Sequence, residues 1–329
     1  MDDERDSEQH HDQGTELDGV FAERRRLLSL AYRMTGTLAD AEDVVQETYL
    51  RWYRLEEAER TAIANPAGWL TRVASRIALD LLASARRRRE RYIGQWLPEP
   101  LPADLFDGTA PPAPLTPAGG TADPLDRVTL DDAVSTALLV VLEAMTPAQR
   151  VAFVLHDVFA VPFDEIAGIV GRTPAAVRQL AATGRRQVRE HRTAAVPRDE
   201  HDRTVRAFLR AAQAGDMEQL MRVLAPDVEL RTDANGLVTA ALNVIEGPGR
   251  VARLVLGVDA KMPELTQHLE PLADGLGVVL RSGDTVAGVM TFHVEHELVT
   301  DVWIMLNPAK LTHWLPTPPE TDPARRARP

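Results

Sequence analysis

The sequence predicts a multidomain chain in which two all-α helical domains are followed by an α+β cone domain. Three observations predict it. Apolar residues recur at helical spacing on both sides of a Pro-rich stretch, and a helix, a glycine turn and a basic helix lie between Phe163 and Arg192. Beyond about Glu200 the pattern changes to two helices and then to strands. A length of 329 residues suits two or three folded units. The 44% hydrophobic and 26% charged composition, without any apolar run of about 18 residues, excludes a transmembrane protein. Zero cysteines exclude disulfide frameworks, Cys-ligated metal and thiol nucleophiles. The acidic start lacks a basic n-region and an apolar h-region, so the expected location is the cytoplasm.

A net charge of -12 argues against a polyanionic partner until its distribution is read. Met1 to Val20 carries eight acids against Arg5, and residues 1–16 read as a disordered acidic tail. Arg72 to Arg91 carries seven arginines against Asp80 and Glu90, and Arg172 to Arg192 carries six against Glu190, so each stretch sums to +5. The chain therefore holds two basic islands.

Residues 17–95 read as the first helical domain. In its second helix Asp40 is the expected N-cap, Glu42 and Asp43 suit the first turn, and Arg51 and Arg54 suit the last. Ala41, Val44, Val45, Thr48 and Trp52 form its core face, and Asp43, Gln46, Glu47 and Leu50 form the opposite stripe. A polar loop is expected over Leu55 to Asn65. Pro66 then opens a helix whose apolar positions Trp69, Leu70, Val73, Ile77, Leu81 and Leu82 run into Arg86 to Arg89. Residues 96–126, rich in Pro, Gly, Ala and Thr, read as an extended linker.

Residues 127–195 read as the second helical domain. Thr146-Pro147-Ala148-Gln149 is an N-cap, a first-turn proline and a capping-box glutamine, opening a helix that runs towards Val158. Phe163, Ile166, Ala167 and Val170 form an apolar face ending at Gly171, and Thr173-Pro174 restarts a helix with Val177, Leu180, Ala181 and Val188 inside. Helix, glycine turn and helix with Arg178, Gln179, Arg185 and Arg186 outside is a helix-turn-helix signature. Arg178 and Gln179 suit guanine and adenine edges, whereas Arg185 and Arg186 suit phosphates.

Residues 200–316 read as the α+β domain. One helix stops at Gly215, Asp216 caps a second, and Pro226 is expected to end it. Strands are expected over Val228 to Thr232, Leu265 to Leu272, Leu276 to Arg281, Thr285 to Val294 and Leu298 to Leu306, with a short helix around Arg250 to Leu256. A curved antiparallel sheet behind helices encloses a cone with an apolar pocket. Residues 317–329 read as a disordered tail.

Ala41-Glu42-Asp43-Val44-Val45-Gln46-Glu47-Thr48, Trp69-Leu70-Thr71-Arg72-Val73-Ala74, the helix start at Thr146 and the helix-turn-helix together resemble regions two and four of an extracytoplasmic-function (ECF) sigma factor of bacterial RNA polymerase. Trp96-Leu97-Pro98-Glu99-Pro100, Asp233-Ala234-Asn235-Gly236-Leu237 and Asn307-Pro308-Ala309-Lys310-Leu311 resemble the branch of that family with a C-terminal SnoaL-like domain. The branch usually has Asp-Gly-Gly-Gly-Lys where this chain has Ala234, Asn235 and Leu237, and an Asp in place of Ala309.

The resemblance implies core RNA polymerase, through its beta and beta-prime subunits, and promoter DNA as partners. It places Asp43, Gln46, Glu47 and Leu50 on the polymerase clamp, a stripe that charge pattern alone would leave facing solvent. It implies that Arg72, Arg76, Arg86 and Arg87 lie near the -10 element, and that Thr173, Arg178, Gln179, Arg185 and Arg186 lie at the -35 element. Regulatory contact is implied for Trp96, Leu97, Pro98, Glu99, Pro100, Asp233, Gly236, Asn307, Pro308, Lys310 and Leu311, in place of a separate anti-sigma factor. No cofactor, metal or membrane is expected, and a small molecule in the C-terminal cone is a candidate ligand. Two rival readings are a one-component ligand-responsive helix-turn-helix regulator and a SnoaL-like enzyme fused to a DNA-targeting region. For the enzyme, Asp233 or one of His268, His293 and His296 would be the general base.

Overall fold

The computed structural model describes residues 23–89, 92–106, 135–191, 196–237 and 241–314, without the side chains of 85–89, 104, 106, 191, 259 and 260. Both expected tails and most of the Pro-rich linker lie outside the described residues. The chain divides into two compact units, Met1–Arg91 with Asp104–Ala195 and Tyr92–Ala103 with Val196–Pro329.

In the first unit, helix α1 (23–35) turns at Gly36, whose φ of 78° is the left-handed conformation glycine adopts without strain. Thr37, not Asp40, is the N-cap of α2 (Leu38–Tyr53), its hydroxyl accepting from the Asp40 N–H at 3.3 Å. The turn at Gly36 leaves Thr37 extended and so starts the helix earlier than the acidic residue suggests. The expected loop after α2 contains a short helix, α3 (Glu57–Thr61), fixed by a capping box between Glu56 and Glu59. Helix α4 (Pro66–Arg89) packs on α2, where Trp52 meets Trp69 edge to face at 5.2 Å.

The second helical block lies in the same unit. It comprises α5 (Thr136–Glu143), α6 (Pro147–Phe153), α7 (Phe163–Val170) and α8 (Pro174–His191), and a π-helical turn over Val154–Val158 follows α6. Thr146 and Gln149 form the expected capping box, and Gly171 ends α7 at φ 68°. A Cβ at Gly184 would lie 3.1 Å from the Phe153 Cβ, so glycine lets α8 approach the α6 end of the core closely.

In the second unit, α9 (Arg198–Gln213), α10 (Met217–Val223) and α11 (Pro248–Lys261) cover one face of a six-stranded sheet. The strands are β1 (Leu224–Asp233), β2 (Ile245–Glu246), β3 (Leu265–Leu272), β4 (Gly275–Ser282), β5 (Thr285–Glu295) and β6 (Leu298–Met305), in the order β2-β1-β6-β5-β4-β3. The sheet is mixed, not purely antiparallel, because β1 pairs parallel to β6. A parallel neighbour needs a long connection, and the chain from β2 to β5 supplies it. Pro226 does not end a helix but lies in β1, inside the irregular register between Leu224 and Glu229. Val205, Phe208, Leu220, Val251, Phe292, Val302 and their neighbours fill the space between helices and sheet with a continuous apolar cluster. No helix among the described residues is long and apolar enough to cross a membrane.

Candidate functional site

Helix α2 buries Val44, Val45, Thr48 and Trp52, which turns the opposite stripe to solvent. Asp43, Gln46 and Leu50 are exposed there, Leu50 to 50%. Glu47 is half-buried and accepts from Arg51 at 2.8 Å. The four predicted residues therefore share one face.

Arg72 and Arg76 are exposed on α4 and point to the second helical block. Arg76 donates to the Gly168 carbonyl of α7 at 2.8 Å, and Arg72 stands 4.0 Å from the Glu165 carboxylate. The side chains of Arg86 and Arg87 lie outside the described residues. In the helix-turn-helix, Thr173 is exposed and accepts from the Ala176 N–H, so it caps α8. Arg178 and Gln179 are exposed one turn further on. Arg185, expected on the outer face as a phosphate contact, is 3.4 Å from the side chain of Asp157, only 5% exposed, and Arg186 lies 3.9 Å from Glu190. The Asp157 pairing is a tertiary contact that helix periodicity cannot reveal.

The expected extended linker is folded over its first residues. Asp233, fully buried at the end of β1, accepts from the Tyr92 hydroxyl at 2.5 Å, the Leu97 N–H at 2.9 Å and the Lys310 ammonium at 2.7 Å. Lys310 also donates to the Leu97 carbonyl and sits 4.0 Å above the Trp96 ring. Asn307 donates to the Tyr92 hydroxyl, and Trp314 donates to the Pro100 carbonyl. Leu97, Pro98, Glu99, Pro100 and Leu311 are buried around this centre, whereas Gly236 and Pro308 are exposed. Gly236 has a φ of 68°, and a Cβ there would lie 3.1 Å from Ile93. The sequence reading misses Tyr92 because nothing local marks it as a partner for Asp233.

The strand histidines are scattered. His268 is exposed beside Thr266, His296 occupies a turn at φ 50°, and His293 pairs with Glu295 at 3.1 Å. Next to His293 across the strands lies Asp301, whose carboxyl is pushed up by burial, with Glu229 acting in the same direction. His293, the Thr300 hydroxyl and Arg231 act in the opposite direction. The folded state thus holds this proton more tightly than the unfolded chain, so stability falls as pH rises through the shifted range. Asp301→Asn is expected to raise the melting temperature at pH 7, with the gain disappearing as acid protonates the parent carboxyl. A gain that is absent at neutral pH, or equal at pH 7 and in acid, would contradict this account.

Two family profiles match the chain, Sigma-70 region 2 over residues 20–88 and Sigma-70, region 4 over residues 135–188. The ECF RNA polymerase sigma factor SigJ of Mycobacterium tuberculosis H37Rv is 44% identical over 245 residues, 74% of this chain and 73% of the relative. The probable ECF RNA polymerase sigma factor SigI of M. tuberculosis CDC 1551 is 36% identical over 291 residues, 88% of this chain and 92% of the relative. The crystal structure of M. tuberculosis SigJ matches with a TM-score of 0.64 at 33% identity, over 91% of this chain and 98% of that one.

Proposed function

The chain belongs to the ECF sigma factors of bacterial RNA polymerase, alternative sigma factors that direct promoter-specific initiation, and from that premise we propose how its parts divide the work. Residues 17–95 bind core polymerase and the -10 element, residues 127–195 bind the -35 element, and the linker of 96–126 joins them. Residues 200–316 form a SnoaL-like regulatory domain. The protein acts in the cytoplasm beside the polymerase, and its own C-terminal domain takes the place of a separate anti-sigma factor.

The observation that carries polymerase docking is the α2 stripe, in which acids surround one exposed leucine while the other face holds the core. Changing Asp43 and Glu47 together to arginine should lower association with core polymerase by at least about tenfold, an effect of about 1.4 kcal/mol. The melting temperature should stay within a few degrees, because neither residue packs in the core. Co-purification with core polymerase at the parent level would remove the docking assignment.

Arg72 and Arg76 belong to the -10 contact on this reading, and both are engaged by α7 in the free chain. Promoter DNA competes with α7 for them. The C-terminal unit grips the start of the linker through Asp233 and Lys310, so polymerase competes for that segment too. The domain regulates without catalysis. Asp233, its candidate base, is buried and takes three hydrogen bonds from the protein itself, and no histidine accompanies it in those bonds.

A further inference from the structure

The side chains that hold Arg178 come from outside its own helix. Phe163, the first residue of α7, lies with its ring 3.8 Å from the His156 imidazole, the two planes 27° apart. His156 is fixed in turn by Nδ1, which donates to the Val161 carbonyl at 3.1 Å. The Arg178 guanidinium carbon stands 5.6 Å from the centroid of the same Phe163 ring. Imidazole, phenyl ring and guanidinium thus form a short stack joining the π-helical turn, α7 and α8. Arg178 differs from its neighbours on α8: Arg185 is paired with Asp157 and Arg186 with Glu190, whereas Arg178 has no carboxylate partner among the described residues. Among the described residues it meets an aromatic ring, which leaves its N–H edge available. An arginine held in this way loses less side-chain freedom when it forms a bidentate pair with the O6 and N7 of guanine.

We infer that Phe163, backed by His156, is a positioning residue for promoter reading, a shelf that aims the Arg178 guanidinium at a guanine edge in the -35 element. The inference rests on the reading of Arg178 as a base contact. It adds that the specificity of that contact is set partly by a residue on the first helix of the motif, which itself touches no base. A surface cation–π contact corresponds to an effect of about two- to fivefold.

The test uses holoenzyme assembled from the full-length chain and bacterial core polymerase, with a duplex library randomised over the -35 positions ahead of a fixed -10 element. Enrichment at each position is read for the parent, Phe163→Leu, Phe163→Tyr, Arg178→Ala and the double variant Phe163→Leu/Arg178→Ala. Arg178→Ala should flatten the guanine preference at one or two positions. Phe163→Leu, which keeps the apolar bulk, should reduce that same preference about two- to fivefold and leave the other positions unchanged. Phe163→Tyr should restore it, and the double variant should be no flatter than Arg178→Ala alone. Melting curves of the variants separate this effect from loss of folding, and the tyrosine variant keeps the test decisive if leucine loosens the domain. If Arg178→Ala leaves every preference intact, the base-contact reading fails and the shelf fails with it. If Arg178→Ala flattens a position but Phe163→Leu lowers binding to all sequences equally, or leaves the preference unchanged, only the shelf is overturned.

Discussion

Asp233→Ala should destabilise the C-terminal unit by about 3–5 kcal/mol, the range for removing one partner of a buried ion pair. The carboxylate is fully buried and the Lys310 side chain is 7% exposed, so water cannot take over the lost interaction. Without Asp233 the ammonium keeps the Leu97 carbonyl and the Trp96 ring, while the Tyr92 hydroxyl and the Leu97 N–H lose the acceptor they shared. The buried Leu97 N–H, deprived of that acceptor, adds its own desolvation cost. Asp233→Asn, which keeps an acceptor of the same shape, should lose less. The double variant Asp233→Ala/Lys310→Met should recover a large part of the loss, because it leaves no unpaired charge behind. Urea unfolding of the full chain measures all three. A loss below about 1 kcal/mol for Asp233→Ala, or a double variant less stable than the single one, would show that the pair is not what holds Tyr92–Leu101 in the unit.

The order of elements was legible because the patterns that encode it are local. The stripe Asp43, Gln46, Glu47, Leu50 follows from helical spacing, and Thr146-Pro147-Ala148-Gln149 marks a helix start that the structure repeats bond for bond. Helix α3 escaped because five residues are too few to show a period, and its start is marked by Glu56, an uncommon N-cap. The parallel β1–β6 pair escaped because a strand's sequence shows how it is buried, not which distant strand lies beside it. The same limit hid the partners of the candidate site. Asp233 is conspicuous in its loop and Lys310 is one of only two lysines in the chain, yet nothing in either neighbourhood shows that they meet. Arg185 has the spacing of an outer-face cation and is nevertheless tied to Asp157. Residues that act outward are visible through periodicity, whereas residues that act by pairing across the fold need coordinates.

Arg150→Met should cost the first unit about 3 kcal/mol and loosen the two helical blocks from each other, the lower end of the buried-pair range because Glu143 keeps some access to water. Arg150 lies on α6 with only 3% exposure, and one of its terminal nitrogens donates to Glu143 at 2.6 Å and to the Met34 carbonyl at 2.8 Å. The second bond ties α6 to the end of α1, close to the place where Arg33 stands 5.8 Å from the Phe159 ring. Methionine fills the space of the arginine stem but removes the two hydrogen bonds that Arg150 donates, to the Glu143 carboxylate and to the Met34 carbonyl. Burial pushes the guanidinium well below its ordinary range, down to about 9. Folded Arg150 would release its proton before unfolded Arg150, so its burial cost is in full force below about pH 9 and is relieved only above it. The gap in stability between parent and variant should therefore be flat from pH 6 to pH 8. Small-angle scattering should show a larger radius of gyration for the variant. Because the closed arrangement occupies Arg72 and Arg76, holoenzyme carrying the variant should engage promoters faster at temperatures where it remains folded. An unchanged radius with a lowered melting temperature would reduce Arg150 to a local core residue, and a slope in the stability gap between pH 6 and pH 8 would mean that another group titrates with the pair.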